Sequence, residues 1–289
     1  MSASDVDDRN IQLIVSADDF GYFRCVSAGI VHAHLHGMVT ATAVLSNAEG
    51  FREDVALLRS CPGLDLGVHL NLTTGAPLSD RLRALCLDTG GRLPSKFRVL
   101  KWILAGHLAE ADIETEWRMQ IQAALDAGLT LRFLNSHEHV HMLPRALQAI
   151  HRLAREFGIR HLRLPVPDRL NIWPPGAFLR DVSLGVLTWR GGARGEAPPA
   201  KFVGLGDSGR LNAGVLRKRF AALKPGTVYE LMCHPGFHDV AEVKDSRLLA
   251  YHDWEGEVRA LTDTALQQWM RETGIRLVSY RDLEEQRRQ

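Results

Sequence analysis

Short apolar runs alternate along this chain with longer stretches whose apolar residues recur at helical spacing. The first run, IQLIVSADD at residues 11–19, is almost continuously apolar and ends in two acids, which predicts a buried strand. A helix is expected from about Arg24 to Gly37, then a strand at ATAVLSN and a helix with its stop at FREDVALLRSCPG. LDLGVHLNLT predicts the next strand, and residues 95–128 a mostly helical segment. TLRFLNS is expected to be a strand. PRALQAIHRLAREFG is expected to be a helix, with Pro144 near its start and Gly158 at its end. RHLRLPVPD predicts a strand, AGVLRKRFAAL a helix, TVYELMCHPG the last strong strand, DTALQQWMRETG a helix and IRLVSY a final short strand.

This alternation is the mark of βα units around a parallel sheet. The strand count suits an α/β, TIM-barrel-like fold of about seven βα units. One domain over 11–289 is expected, after a flexible polar tail at 1–10. The region from Arg169 to Ala213 breaks the pattern. It contains NIWPPG, RGGARGEAPPA and GLGDSG, and its glycines and prolines predict a loop-rich insertion over one end of the fold.

Composition narrows the partners. The chain has 289 residues with a formal net charge of +1, so it carries no electrostatic footprint for nucleic acid or an anionic membrane. MSASDVDDRN lacks a basic start and an apolar core, and no run is long enough to span a bilayer. Cys25, Cys61, Cys86 and Cys233 are scattered without CxxC spacing, as reduced thiols of a cytoplasmic protein would be.

Parallel barrels carry their functional residues at the C-terminal ends of strands. Here the first strand ends in Asp18-Asp19, the third carries His69, the fourth runs into Asn135-Ser136-His137, and the late strand ends in Cys233-His234. If the first strand continues regularly, Asp18 and Asp19 point to opposite faces and differ in role. One of them could instead cap the following helix. His69 and His234 taken singly read as satisfied buried histidines. NSHEHVHMLP at 135–144 is a stronger signal. His137, His139 and His141 share a face if extended, and His137 and His141 do if helical, so at least two imidazoles lie close and metal binding is favoured. His32, His34 and His36 also alternate, at the end of a helix, where they complement its dipole. Arg163 ends another strand and could orient a sugar hydroxyl or form a salt bridge. Tyr22 and Trp173 could stack on a sugar or simply pack.

Four motifs in order, SADDFG (16–21), GVHLNLT (67–73), NSHEHVHMLP (135–144) and MCHPGF (232–237), resemble those of the YdjC/ChbG-type carbohydrate deacetylases, a family that includes the HpnK branch. The resemblance covers about residues 12 to 283. It implies a barrel of the glycoside hydrolase/deacetylase superfamily, hydrolysis of an acetamido group on a sugar, and one divalent metal per chain, magnesium or zinc. Carried over by position, it implies Asp19, His69 and His137 as metal ligands, Asp18 as catalytic base and His234 as general acid. His139, His141, Arg163 and Tyr22 then fall to substrate binding or its surroundings. The relatives also suggest a homodimer. Two other readings compete: a different metallohydrolase on the same barrel, which usually needs two metals and more carboxylates, and a sugar-binding relative without catalysis.

Overall fold

The computed structural model describes residues 10–143, 145–165 and 200–288. The run IQLIVSADDF forms β1 (Ile11–Phe20), a strand buried along nearly all of its length. Apolar residues on both faces suit a parallel strand covered on both sides. Leu13, Val15 and Ala17 join the large apolar cluster beneath the helices, with Val26 and Ile30 of the helix Arg24–Leu35. Ile14, one step out of phase, joins a second cluster of Ala41, Ala43, Phe133, Val278, Tyr280 and Leu283. The sheet thus separates an outer apolar layer from a smaller inner one.

The strands β2 (Ala41–Val44), β3 (Asp65–Leu70), β4 (Leu131–Ser136), β5 (His161–Leu162), β6 (Lys201–Val203), β7 (Val228–Cys233) and β8 (Ile275–Leu277) complete the sheet. Its hydrogen-bonded order is β5-β4-β3-β2-β1-β7-β6, with β8 also paired to β1, and every pairing is parallel. On one side β1 pairs with β8 over Ile11–Leu13 and then with β2 from Ser16 onward, while β7 lines the other side. The result is a curled α/β half-barrel. Among the described residues no ladder joins β5 to β6. The guanidinium of Arg163, just after β5, lies over the ring of Phe202 in β6 at 5.6 Å.

The inside of the curl is graded along its axis. Its lower part is apolar and is closed by the helix Tyr280–Gln286, whose Tyr280 ring stacks on Phe133 at 4.5 Å. Ser279 caps this helix, its hydroxyl accepting from the Asp282 N–H while Asp282 accepts from the Ser279 N–H. The upper part is polar and buried, with Ser16, Asp18, Asn135, Arg163 and Glu230.

Two expectations are corrected. Of the strand predicted at RHLRLPVPD, the described residues, 160–165, keep only His161 and Leu162 in the ladder. Within 169–213, residues 200–213 are not all loop, because Lys201–Val203 pairs with β7 and a helical turn follows at Leu205–Asp207. The remainder of that region, with Trp173, and the tail before residue 10 lie outside the described residues. All four cysteines are buried free thiols. Among the described residues no helix is long and apolar enough to cross a membrane.

Candidate metal and catalytic site

The site is built at the C-terminal ends of β1, β3, β4 and β7. In β1 the register against β2 slips between Ala17 and Phe20, and Asp19 takes a left-handed φ of 71°. A regular strand would send Asp18 and Asp19 to opposite faces. The slip instead leaves Asp18 inside the curl and swings Asp19 over its rim, so both carboxylates serve one site. Gly21 completes the exit with φ 90°, and a Cβ there would meet Phe51 and the Leu45 carbonyl at 3.3–3.4 Å. The left-handed φ favours glycine, and a Cβ would in addition press these neighbours aside.

His69 and Asn135 sit side by side in the β3–β4 register. The Asn135 side chain donates to Asp18 Oδ1 at 3.0 Å, and a carboxylate can only accept. Its carbonyl therefore faces His69 Nδ1, 2.7 Å away, and must accept from it. This places a proton on His69 Nδ1 and makes Nε2, 3.4 Å from Asp19 Oδ1, the ring atom that faces the carboxylate. His137 follows β4, its Nδ1 3.1 Å from the same Asp19 oxygen. One ligand atom from each of Asp19, His69 and His137 lies within 4.8 Å of the others. One carboxylate and two imidazoles, with Asp19 and His69 buried, His137 half-buried and His69 held from behind by Asn135, are a donor set suited to a divalent cation.

The electrostatics agree with that reading. Burial pushes the Asp19 carboxyl up, but the adjoining His137 and His69 outweigh it and hold it well below its ordinary value. Burial disfavours the charged His137 ring, and Asp19 more than offsets this, so its pKa is raised. Asp18 is pushed up by burial and pulled lower overall by Arg163, with help from His69 and His234.

Asp18, only 1% exposed, is tied down at both oxygens. Asn135 holds one and Arg163 Nη1 donates to the other at 2.5 Å. Arg163 Nε donates to Glu230 at 2.6 Å and Nη2 to Ser16 Oγ at 2.7 Å. The salt-bridge alternative for Arg163 is therefore present, and its donors are directed inward. His141 is also fully buried. Its Nδ1 lies 2.6 Å from Ser136 Oγ and its Nε2 3.0 Å from the Arg163 carbonyl, while burial drives its pKa down to about 3. Both placements suit support of the site rather than contact with a ligand.

The expected shared face of the three histidines does not form. Beyond Ser136 the chain coils into tight turns in which Glu138 and His139 are left-handed, at φ 51° and 55°. Only His137 reaches Asp19. His139 packs edge-on to Phe202 and His141, and its pKa is driven well below the usual value by burial. Tyr22 does lie at the rim, edge-on to His137 at 6.0 Å, its oxygen accepting from the Thr74 hydroxyl. His234 follows directly on β7, with its backbone N–H donated to the buried Glu257 at 2.6 Å.

Three participants escaped the sequence reading. Asn135 was quoted within its motif but given no role. Glu230 had a signal, as one acid in the apolar run VYELMC. His252, whose ring centroid is 5.1 Å from that of His234, had none, since no strand or pattern leads to it.

Fold and site together define a parallel α/β half-barrel with one Asp/His/His cluster and a buried carboxylate at its strand ends. The chain belongs to the YdjC-like protein family, whose pattern matches residues 12–272. It is 34% identical over 273 residues to a protein of Brevibacillus brevis named carbohydrate deacetylase, covering 94% of this chain and 100% of the relative. A carbohydrate deacetylase of Halalkalibacterium halodurans is 33% identical over 236 residues, covering 79% and 86%. Among solved structures, a proposed cellobiose-phosphate cleavage protein of Enterococcus faecalis superposes with a TM-score of 0.70 at 25% identity, covering 95% of this chain and 99% of that one.

Proposed function

We propose that this protein is a metal-dependent carbohydrate deacetylase, a hydrolase that removes the acetyl group from the nitrogen of an N-acetylated amino sugar, glycoside or glycolipid. The observation that carries the reading is the convergence of Asp19, His69 and His137 beside the held carboxylate of Asp18, in a chain whose relatives bear that activity in their names. One divalent ion per chain, magnesium or zinc, held by those three residues would polarise the acyl carbonyl and acidify a water.

The remaining chemistry belongs to side chains. Asp18 is ionised at neutral pH and oriented by Asn135 and Arg163. Each of its oxygens keeps a lone pair free to take the proton of the attacking water. Arg163, Glu230 and Ser16 act behind Asp18 as positioning groups. Water adds to the acetamide carbon, the C–N bond breaks, and the leaving nitrogen requires a proton. His234, arriving from β7, is the group we assign to supply it. Tyr22 and Thr74 form one wall beside His137, where the sugar would lie. Among the described residues only one cluster of three metal-ligating side chains occurs. That disfavours a two-metal phosphoesterase.

The test is acetate release from a panel of N-acetylated sugars and glycolipids by metal-stripped protein reloaded separately with magnesium or zinc. Acetate that disappears in Asp18→Asn and His137→Ala supports the reading and identifies the metal. Metal bound tightly with no acetate from any substrate would point to a different hydrolysis or to sugar binding alone, and protein that binds no metal would overturn the site.

A further inference from the structure

The loop that follows β3 is pinned by four buried polar side chains, Asn47, Asn71, Glu116 and Gln120. β3 leaves its ladder with β2 at Val68 and its ladder with β4 at Leu70. At the next residue Gln120, from the helix Glu110–Asp126, takes the place of a neighbouring strand. Its Oε1 accepts from the Asn71 N–H and its Nε2 donates to the Asn71 carbonyl, both at 2.8 Å. Glu116, one turn earlier on the same helix face, accepts from the Leu78 and Ser79 N–H groups. Both ends of the loop are thus fixed to one helix.

Within the loop, Asn71 folds the chain back on itself. Its Oδ1 accepts from the N–H groups of Thr73 at 2.8 Å and Thr74 at 3.1 Å. Its Nδ2 donates to the Thr74 carbonyl at 2.6 Å and to Asn47 Oδ1 at 3.0 Å. Asn47 brings a second donor to the Thr74 carbonyl, at 3.2 Å. Both backbone polar groups of Thr74 are therefore held, which fixes where its side chain stands. A network that only satisfied the loop backbone would end there. This one continues, because the Thr74 hydroxyl donates to the Tyr22 oxygen at 3.2 Å. A phenol has one proton and two lone pairs, so Tyr22 accepts from Thr74 and keeps its own proton to donate. Its ring stands edge-on to His137 at 6.0 Å, on the rim of the Asp19/His69/His137 cluster.

We propose that Asn71 and Thr74 are positioning residues for sugar recognition, holding the Tyr22 phenol at the rim as a hydrogen-bond donor to a hydroxyl or ether oxygen of the substrate. The Asn71 side chain bonds to its own loop and to Asn47, so its influence reaches the rim through Thr74 and Tyr22. The consequence for sugar binding rests on the deacetylase reading, whereas the relay from Asn71 to Tyr22 does not.

Two measurements test it. The chain has four tyrosines, so in ring 13C–1H spectra of the zinc-loaded full chain Tyr22 is assigned by its loss in Tyr22→Phe. Its resonances should move in Asn71→Ala and in Thr74→Val, and return in Thr74→Ser. In acetate release, Tyr22→Phe, Thr74→Val and Asn71→Ala should each raise KM about five- to tenfold, the worth of one neutral hydrogen bond. In all three kcat should stay within about threefold, with metal content unchanged. Thr74→Ser, which restores the hydroxyl, should recover most of the loss in KM. Combining Asn71→Ala with Tyr22→Phe should add less than about twofold to the larger single effect, because both act at one contact. Should Asn71→Ala fail to fold, Thr74→Val takes its place in the cycle. Tyr22 resonances unmoved in Thr74→Val, a wild-type KM in Tyr22→Phe, effects that multiply in the double variant, or a loss confined to kcat or metal content would overturn the proposal. A wild type that releases no acetate defeats the deacetylase reading alone, and the Tyr22 spectra still decide the relay.

Discussion

Replacing Arg163 with methionine removes the one cation between two buried carboxylates. Arg163, Asp18 and Glu230 have side-chain exposures of 0%, 1% and 4%. Methionine keeps an apolar stem against Phe202, so the main loss is charge. Breaking a buried ion pair by deleting one partner costs about 3–5 kcal/mol, a large share of a total stability of about 5–15 kcal/mol. The cost should depend on pH, with a sign that the structure sets. In the wild type the Asp18 carboxyl lies below its usual 3.8, because Arg163 and the nearby histidines outweigh burial. Its stabilisation is therefore present above 3.8 and is lost as pH falls through the folded value. In Arg163→Met burial becomes the dominant influence and raises the Asp18 pKa, so the folded variant gains stability by taking up a proton. The gap between the two proteins is then widest near pH 7.5 and narrows toward pH 5. Urea unfolding of both proteins at the two pH values measures it. A loss under about 1 kcal/mol at pH 7.5, or an equal loss at both, would refute the account of Arg163 as the counter-ion that keeps Asp18 charged.

Other consequences follow from the same contacts. Asn135→Leu takes away both the acceptor behind His69 and a donor to Asp18, and should weaken zinc binding about 10- to 100-fold; calorimetric titration of stripped protein would contradict this if affinity changed less than threefold. His141, with a folded pKa of about 3 against the usual 6.5, contributes stability above pH 6.5 that is lost as pH falls toward 3, at up to about 1.4 kcal/mol per pH unit. His141→Asn should show a correspondingly shallower decline in unfolding free energy between pH 7 and 5, and an unchanged slope would count against it. Gly21→Ala meets a φ of 90° and the Phe51 backbone, so it should cost more than about 1 kcal/mol in thermal unfolding, and a neutral effect would show that the turn relaxes.

The apolar runs determined the strands, because a strand covered on both faces must be apolar throughout, whatever it pairs with. That local demand made β1, β3, β4 and β7 readable, and it placed Asp18, Asp19, His69, His137 and His234 at strand ends. The helix Tyr280–Gln286 was not readable. Its few turns follow a short strand, and Tyr280 is buried by groups distant in sequence, among them Ile14, Phe133 and His161. Local periodicity also misled at two points. Alternation suggested opposed acids at Asp18-Asp19 and a common histidine face at 137–141, but left-handed residues at Asp19, Glu138 and His139 redirect the side chains. Backbone turns of that kind persist only where surrounding contacts hold them, and those contacts come from other strands. The inward direction of the Arg163 donors and the orientation of the His69 ring likewise depend on groups brought together from β1, β4 and β7. The amino-acid sequence supplied the chemistry at each strand end, and the tertiary fold decided which atom faces which.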